Sequence, residues 1–144
     1  MSGVMVDTCV LLDIVTQDPQ WLDWSAAAIQ EAADAGPLVI NPIIYAELSI
    51  GFETIEALQT LLSRDIFEYR PIPCEAAFLA GKCFLMYRRR GGEKTRPLPD
   101  FLIGAHAAVE SLPLITRDTQ RFRTYFPRLE LICPPREIQS SEEQ

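Results

Sequence analysis

Apolar residues recur along the chain with two different spacings, which predict alternating strands and helices. Short apolar runs predict four buried strands, at residues 3–7, 38–40, 114–116 and 129–132. Residues 67–72 are predicted to form either a strand or an extended connector. Helical spacing predicts helices near 9–16 and 22–35, from Asn41, near 53–63 and 74–88, from Asp100, and over 119–125. This alternation indicates an α/β fold, a three-layer sandwich with a mostly parallel central sheet.

The length and composition indicate a single globular domain. The chain has 144 residues, of which 48% are hydrophobic and 23% are charged, so it can bury a sizeable core. We expect the domain to span residues 1–133 and the polar, acidic tail 134–144 to be disordered. Because no apolar run approaches the roughly 20 residues of a membrane span and no signal-peptide pattern opens the chain, we expect a cytoplasmic protein.

The cysteines and the histidine give little support to thiolate-metal or triad chemistry. The cysteines lie far apart without a C-x-x-C pair, which predicts reduced, mostly core thiols rather than a disulfide framework or a zinc site. They are Cys9, Cys74, Cys83 and Cys133. The one histidine, His106, lies within an apolar helix, where a packed, hydrogen-bonded role is favoured over catalysis.

Four acidic residues lie beside or within apolar segments, where solubility gives no reason for them. Asp7 ends the first predicted strand, and Asp118 follows a later core strand. Asp100 opens an apolar helix, and Glu47 lies on the apolar face of the third predicted helix. Functional groups of parallel sheets gather outside the carboxyl ends of the strands, so we expect these four carboxylates to converge on a cation.

Each of these acids also has a plainer explanation. Asp100 and Asp118 are suited to capping a helix N-terminus, and Asp7 is suited to an ordinary turn. Glu47 can lie on the exposed face of its helix. The conjunction of the four favours a cation site, because an unpaired buried carboxylate costs several kcal/mol or becomes protonated.

Charge is distributed unevenly along the chain, whose net charge is −7. Residues 1–63 contain nine acids and no Lys or Arg, whereas residues 82–128 contain ten basic residues and four acids. A basic cluster leads to Asp100, and it consists of Arg88, Arg89, Arg90, Lys94 and Arg96. This cluster either stabilises the C-terminus of a helix or holds a nucleic-acid backbone without reading bases.

The segments around the four acids resemble PIN-domain ribonucleases, and most closely the VapC-type toxins of bacterial toxin–antitoxin pairs. These segments are MVDTCVLLDI, NPIIYAEL, PDFLIGAHA and LITRDTQRF. The resemblance implies that the four acids hold Mg²⁺ or Mn²⁺, with Thr116 and Thr8 in supporting positions. It also implies endonucleolytic cleavage of RNA that leaves a 3′-hydroxyl and a 5′-phosphate, an inhibitory antitoxin and a homodimer.

Electrostatics agree with a cation at this place. Converging carboxylates need a compensating charge, and oxygen ligands suit hard divalent ions. Such an ion would activate the water that attacks the phosphodiester. Since the bare acids would repel phosphates, basic residues should hold the RNA backbone, and the candidates are Arg89, Arg90, Lys94 and Arg96.

Other classes of function also fit parts of the pattern. A PIN-like RNA-processing nuclease, or a PIN-like module that only binds partners, would carry similar acids. A receiver-type phosphoacceptor domain also places acids at strand ends, but it needs a Lys near its last strands, where this chain has Arg117. Asp13 is an additional acid without an assigned role, and we expect it to face solvent.

Overall fold

The computed structural model describes residues 3–91 and 97–135 and contains a five-stranded sheet in the order β3-β2-β1-β4-β5. The strands are β1 (Val4–Val6), β2 (Leu38–Ile40), β3 (Phe67–Tyr69), β4 (Leu114–Ile115) and β5 (Leu131–Ile132). Every pair of neighbouring strands is parallel. The predicted α/β class and the single domain are confirmed, and the segment read as a strand or connector forms the edge strand β3.

Seven helices connect the strands in the described part of the chain. They are α1 (Thr8–Val15), α2 (Leu22–Ala35), α3 (Pro42–Ser49), α4 (Ile55–Leu61), α5 (Cys74–Arg89), α6 (Leu98–Val109) and α7 (Thr119–Tyr125). The bounds of α2 and α7 match the predicted ones, and those of the other helices differ by one or two residues, as helix ends usually do. The last strand starts two residues later than predicted, at Leu131.

The strand order places a change of direction at the middle of the sheet. The chain runs from β1 outward to β2 and β3, then crosses to β4 and continues outward to β5. With right-handed crossovers, this reversal puts the connecting helices on both faces of the sheet, which gives three layers. Strands β1 and β4 pair at Met5↔Leu114 and Val6↔Ile115, so the residues that follow these two strands are brought side by side.

The helix α6 packs closely into the core. Phe101 and Ile103 are fully buried, and the absence of a side chain at Gly104 makes room for an aromatic ring. A Cβ atom at Gly104 would lie 2.5 Å from Cε2 of Phe126. Close approach of the ring to the helix backbone therefore depends on this glycine.

His106 supports the start of α3 from within the core. Its Nδ1 lies 3.2 Å from Nδ2 of Asn41, the N-cap residue of α3, whose Oδ1 accepts hydrogen bonds from the first turn. Its Nε2 lies 3.3 Å from Oε2 of Glu110. Burial lowers the pKa of His106 despite the nearby Glu110 carboxylate. The packed, hydrogen-bonded role predicted for this histidine therefore agrees with the structure.

Three other expectations can be compared with the described residues. All four cysteines are free, but the expectation of mostly core thiols is wrong, because only Cys83 is buried and Cys74 is exposed. None of the helices in residues 3–91 and 97–135 is long and apolar enough to cross a membrane. Pro134, in the predicted tail, is buried, while 136–144 lie outside the described residues. The domain boundary at residue 133 stays a prediction.

Candidate active site

Asp7 lies at the carboxyl end of β1 and caps α1. Its Oδ1 accepts a hydrogen bond from the Thr8 amide at 2.8 Å, and its Oδ2 accepts one from Oγ1 of Thr116 at 2.7 Å. The residue is only 5% exposed. Burial, reinforced by the charge of Asp100 and opposed by the Thr116 hydrogen bond, raises the pKa of Asp7 from 3.8 to about 6. Asp7 is therefore not an ordinary turn residue: it is the N-cap of α1, its backbone is extended, and its carboxylate is buried.

Thr116 connects this carboxylate to the segment that follows β4. Its hydroxyl donates to Asp7 and accepts a hydrogen bond from the Asp118 amide at 3.0 Å. Asp118 occupies the N-cap position of α7 but makes no side-chain capping bond. Its side chain is 50% exposed. The capping explanation for Asp118 is therefore wrong, and its carboxylate is free of the helix backbone.

Glu47 reaches the same region from α3. Its Oε1 accepts a hydrogen bond from Oγ1 of Thr8 at 2.6 Å. The apolar face predicted for this helix included Leu48 and Ile50, and it is only partly present, because Leu48 is fully buried while Ile50 is 87% exposed. The reason is that α3 ends at Ser49, one residue before Ile50. Glu47 is consequently half-buried at the edge of the helix's inner face, with Thr8 as its partner.

Asp100 is the third residue of α6, since the helix begins at Leu98 and its N-cap position is held by Pro97. The capping explanation is therefore wrong for Asp100 also. Burial raises the pKa of Asp100, a salt bridge from Arg121 opposes the rise, and the charges of Asp118 and Glu47 add to it.

Neighbouring carboxylates contribute to the raised pKa values of Asp7 and Asp100. Asp100 is affected by Asp118 and Glu47, and it in turn affects Asp7. Contacts also link the acids: Thr8, the neighbour of Asp7, donates to Glu47, and Thr116 donates to Asp7 and accepts from the Asp118 amide. Nη1 of Arg121 lies 2.5 Å from Asp100 and 4.0 Å from Asp118. Through these contacts the four acids and the two threonines expected to support them are linked beyond the ends of β1 and β4.

Arg121 also belongs to this site, although the sequence motifs did not point to it. Its Nη1 lies 2.5 Å from Oδ2 of Asp100 and 4.0 Å from Oδ2 of Asp118. Its guanidinium carbon is 6.0 Å from the centre of the Tyr87 ring. The available signal was its position three residues after Asp118 on a predicted helix, a spacing at which opposite charges meet.

The chemistry of the donors fits a hard divalent cation, because the site offers carboxylate oxygens with excess negative charge. The arrangement of these carboxylates, in contrast, is not that of a preformed ion-binding cluster. Among residues 3–91 and 97–135, no three Asp, Glu, His or Cys side chains are arranged as a cluster that could hold an ion directly. The positive charge beside Asp100 and Asp118 is instead the guanidinium of Arg121.

The basic cluster borders this site only in part within the described residues. Arg89 is the last residue of α5, and Arg90 follows it as the C-cap. Both are exposed, and Cζ of Arg90 lies 5.5 Å from the centre of the Tyr125 ring. The same end of α5 carries Tyr87, which contacts Arg121. The segment 92–96, with the predicted RNA-binding residues Lys94 and Arg96, lies outside the described residues.

Asp13 does not face solvent, so that expectation is wrong. It is 3% exposed, and its carboxylate accepts hydrogen bonds from Nε and Nη2 of Arg117 at 2.8 and 2.9 Å. The hydroxyl of Ser25 donates a third at 2.6 Å. Asp13 and Arg117 are 104 positions apart, so no local pattern could have predicted the pair.

Comparison with known proteins agrees with this fold and these motifs. The family described as PIN domain matches residues 4–127. Ribonuclease VapC10 of Mycobacterium tuberculosis (strain ATCC 25618 / H37Rv) is 30% identical over 132 residues, which is 92% of each chain.

Solved structures show the same fold. The VapBC2 complex of Rickettsia felis, bound to a DNA fragment from its promoter, contains a chain with a TM-score of 0.69 and 22% identity, covering 92% of this chain and 98% of that one. DNA-bound VapBC of Salmonella typhimurium gives a TM-score of 0.67 at 19% identity, with coverage of 92% and 98%.

Proposed function

Since the chain belongs to the PIN-domain family, as its four acidic motifs predicted, we propose that it is a metal-dependent endoribonuclease and the toxin of a toxin–antitoxin pair. One observation carries the proposal. Contacts link the four acids beyond the ends of β1 and β4: Thr8, next to Asp7, binds Glu47, and Thr116 binds Asp7 and the Asp118 amide. Arg121 lies beside both Asp100 and Asp118. The 30% identity to Ribonuclease VapC10 along 92% of both chains supports the choice of RNA as substrate.

We assign direct or water-mediated contact with Mg²⁺ or Mn²⁺ to Asp7, Asp100 and Asp118. Glu47 would contact the ion or orient the attacking water. A divalent ion bound there would activate the attacking water and neutralise charge on the leaving oxygen. Two hydroxyls give the acids their orientation: Thr116 binds Asp7, and Thr8 binds Glu47.

The exposed basic residues at the end of α5 would hold the RNA backbone next to these acids. The position of Arg90 supports this role. Arg90 lies over Tyr125, and Tyr87, one turn earlier on the same helix, contacts Arg121 in the acidic site. We assign the same role to Arg89 and, outside the described residues, to Lys94 and Arg96. Contacts of this kind position phosphates without selecting a sequence.

The family also leads us to propose a cognate antitoxin, a homodimer and a cytoplasmic location. The solved neighbours from R. felis and S. typhimurium are VapBC complexes. An antitoxin would be expected to lay a helix into a groove of the toxin and a basic side chain into the acidic site. Co-expression with the product of the adjacent reading frame, followed by co-purification, tests the partner.

The decisive test is cleavage of a single-stranded RNA by the purified protein with Mg²⁺, with Mn²⁺ and with EDTA. We expect metal-dependent endonucleolytic products with 5′-phosphates, and loss of cleavage in Asp7→Asn and Asp118→Asn. Asp23→Asn is the matched control, because Asp23 is an exposed acid at the start of α2. Circular dichroism must show that each variant is folded.

Two results would contradict the proposal. Cleavage by Asp7→Asn at the wild-type rate would place the activity elsewhere or in a contaminant. RNA binding without cleavage under every metal condition would instead favour the non-catalytic PIN-like module.

A further inference from the structure

An ion pair between Asp13, which is buried, and Arg117, whose side chain is 20% exposed, joins the two segments that carry most of the acidic site. Asp13 is on α1, whose N-terminus holds Asp7 and Thr8. Arg117 lies between Thr116 and Asp118 in the turn from β4 to α7. The guanidinium binds both carboxylate oxygens of Asp13, with N–O distances of 2.8 and 2.9 Å.

Other groups fix the orientation of this pair. The Ser25 hydroxyl on α2 donates to Oδ2 of Asp13 at 2.6 Å, so the carboxylate has three donors. Cζ of Arg117 also lies 5.0 Å from the centre of the Trp21 ring, and Trp21 is 2% exposed. A two-pronged contact backed by an aromatic face restricts both the distance and the rotation of the guanidinium.

Stability alone is a weak explanation for a pair of this kind. Taking two charges out of water costs about as much as their attraction returns, and apolar replacements of buried pairs are often neutral or stabilising. An apolar pair at these two positions could not reproduce the directional hydrogen bonds between Asp13 and Arg117. These hydrogen bonds fix the position of Arg117, and its two neighbours, Thr116 and Asp118, belong to the acidic site.

We propose that Asp13 and Arg117 are positioning residues of the nuclease site, an inference that rests on the function proposed above. The Asp13 carboxylate, held by Ser25, fixes the backbone of the β4–α7 turn through the Arg117 side chain. That backbone sets the direction of the Thr116 hydroxyl toward Asp7 and the place of the Asp118 carboxylate. Neither Asp13 nor Arg117 contacts RNA or metal in this proposal.

A contact from a distant helix adds to the local restraints of this turn. Asp118 makes no side-chain capping bond to α7, and α7 is only seven residues long. Within the turn, the Asp118 amide donates a hydrogen bond to the Thr116 hydroxyl, which restrains the backbone over two residues only. A displacement of about 1 Å at a catalytic group can reduce turnover by about 100-fold.

The test compares Asp13→Asn, Arg117→Met and the double variant Asp13→Leu/Arg117→Met in the full-length protein. We expect each single change to lower kcat for RNA by about 10- to 100-fold with KM within about threefold of wild type. We also expect weaker Mn²⁺ binding, measured by titration calorimetry in the absence of RNA. The double variant should regain thermal stability, because no unpaired charge is left buried, yet it should keep the low kcat.

A stability-matched control separates positioning from folding. Leu58→Ala, at a residue of α4 that is 1% exposed, removes core volume on a helix that contributes no side chain to the site. It should lower the melting temperature while leaving kcat near wild type at temperatures where the protein is folded. Wild-type kcat and Mn²⁺ affinity in the folded double variant would overturn the positioning proposal. Absence of metal-dependent cleavage in the wild type would instead refute the proposed function.

Discussion

Replacement of Asp7 by Asn removes the most strongly buried carboxyl of the site and should change how stability depends on pH. In the metal-free protein, the pKa of Asp7 is raised from 3.8 to about 6, mainly by burial. Between these pH values the folded protein binds more protons at Asp7 than the unfolded chain does. The contribution of Asp7 to the free energy of unfolding is therefore fully present below about pH 4 and is lost as the pH rises through about 6.

The size of the effect follows from the shift. Ionised Asp7 lowers the stability of the metal-free protein above pH 6 by about 3 kcal/mol relative to the protonated form. Asn cannot ionise, so the difference in unfolding free energy between Asp7→Asn and wild type should grow by about 2–3 kcal/mol from pH 4 to pH 7.5. Altered hydrogen bonds to Thr8 and Thr116 add an offset that is independent of pH.

The assay is urea unfolding followed by tryptophan fluorescence, in EDTA, at several pH values between 4 and 7.5. Asp23→Asn is the control, and its difference from wild type should not change in this way because Asp23 is exposed. Added Mn²⁺ should stabilise wild type by mass action but not Asp7→Asn. A difference between Asp7→Asn and wild type that stays constant across this range would refute the assigned burial of an ionisable Asp7.

Three shorter predictions address other parts of the molecule. Arg121→Gln should tighten Mn²⁺ binding about fivefold, the equivalent of ~1 kcal/mol for a partly exposed ion pair; equal affinities of Arg121→Gln and the exposed control Arg123→Gln would contradict it. Gly104→Ala should destabilise the fold by about 1–3 kcal/mol in urea unfolding, since its Cβ would meet Phe126; an unchanged midpoint would contradict this. Arg90→Gln should weaken RNA binding and make its salt dependence shallower by about 0.7 in logarithmic slope for each phosphate that Arg90 neutralises, whereas an unaltered slope would argue against a role in holding the backbone.

Local sequence patterns determined the elements and the places of the acids. The bounds predicted for α2 and β2 are those observed, because each element depends on residues close together in the chain. The same patterns located Asp7 and Asp118 just beyond strand ends. Functional groups of parallel sheets gather beyond the carboxyl ends of the strands, so an approach of these side chains could be expected without coordinates. Metal binding by these acids stays a prediction.

Tertiary structure alone decided which partners the polar side chains find. The Thr8 hydroxyl could have faced solvent, but because α1 packs against α3 it donates a hydrogen bond to Glu47. Asp13 was expected outside and lies inside, because its partner Arg117 arrives from 104 positions away. Arg121 reaches Asp100 only because α6 and α7 meet at the site. Periodicity records which face of an element is apolar, whereas the identity of a distant partner depends on how complete elements pack together.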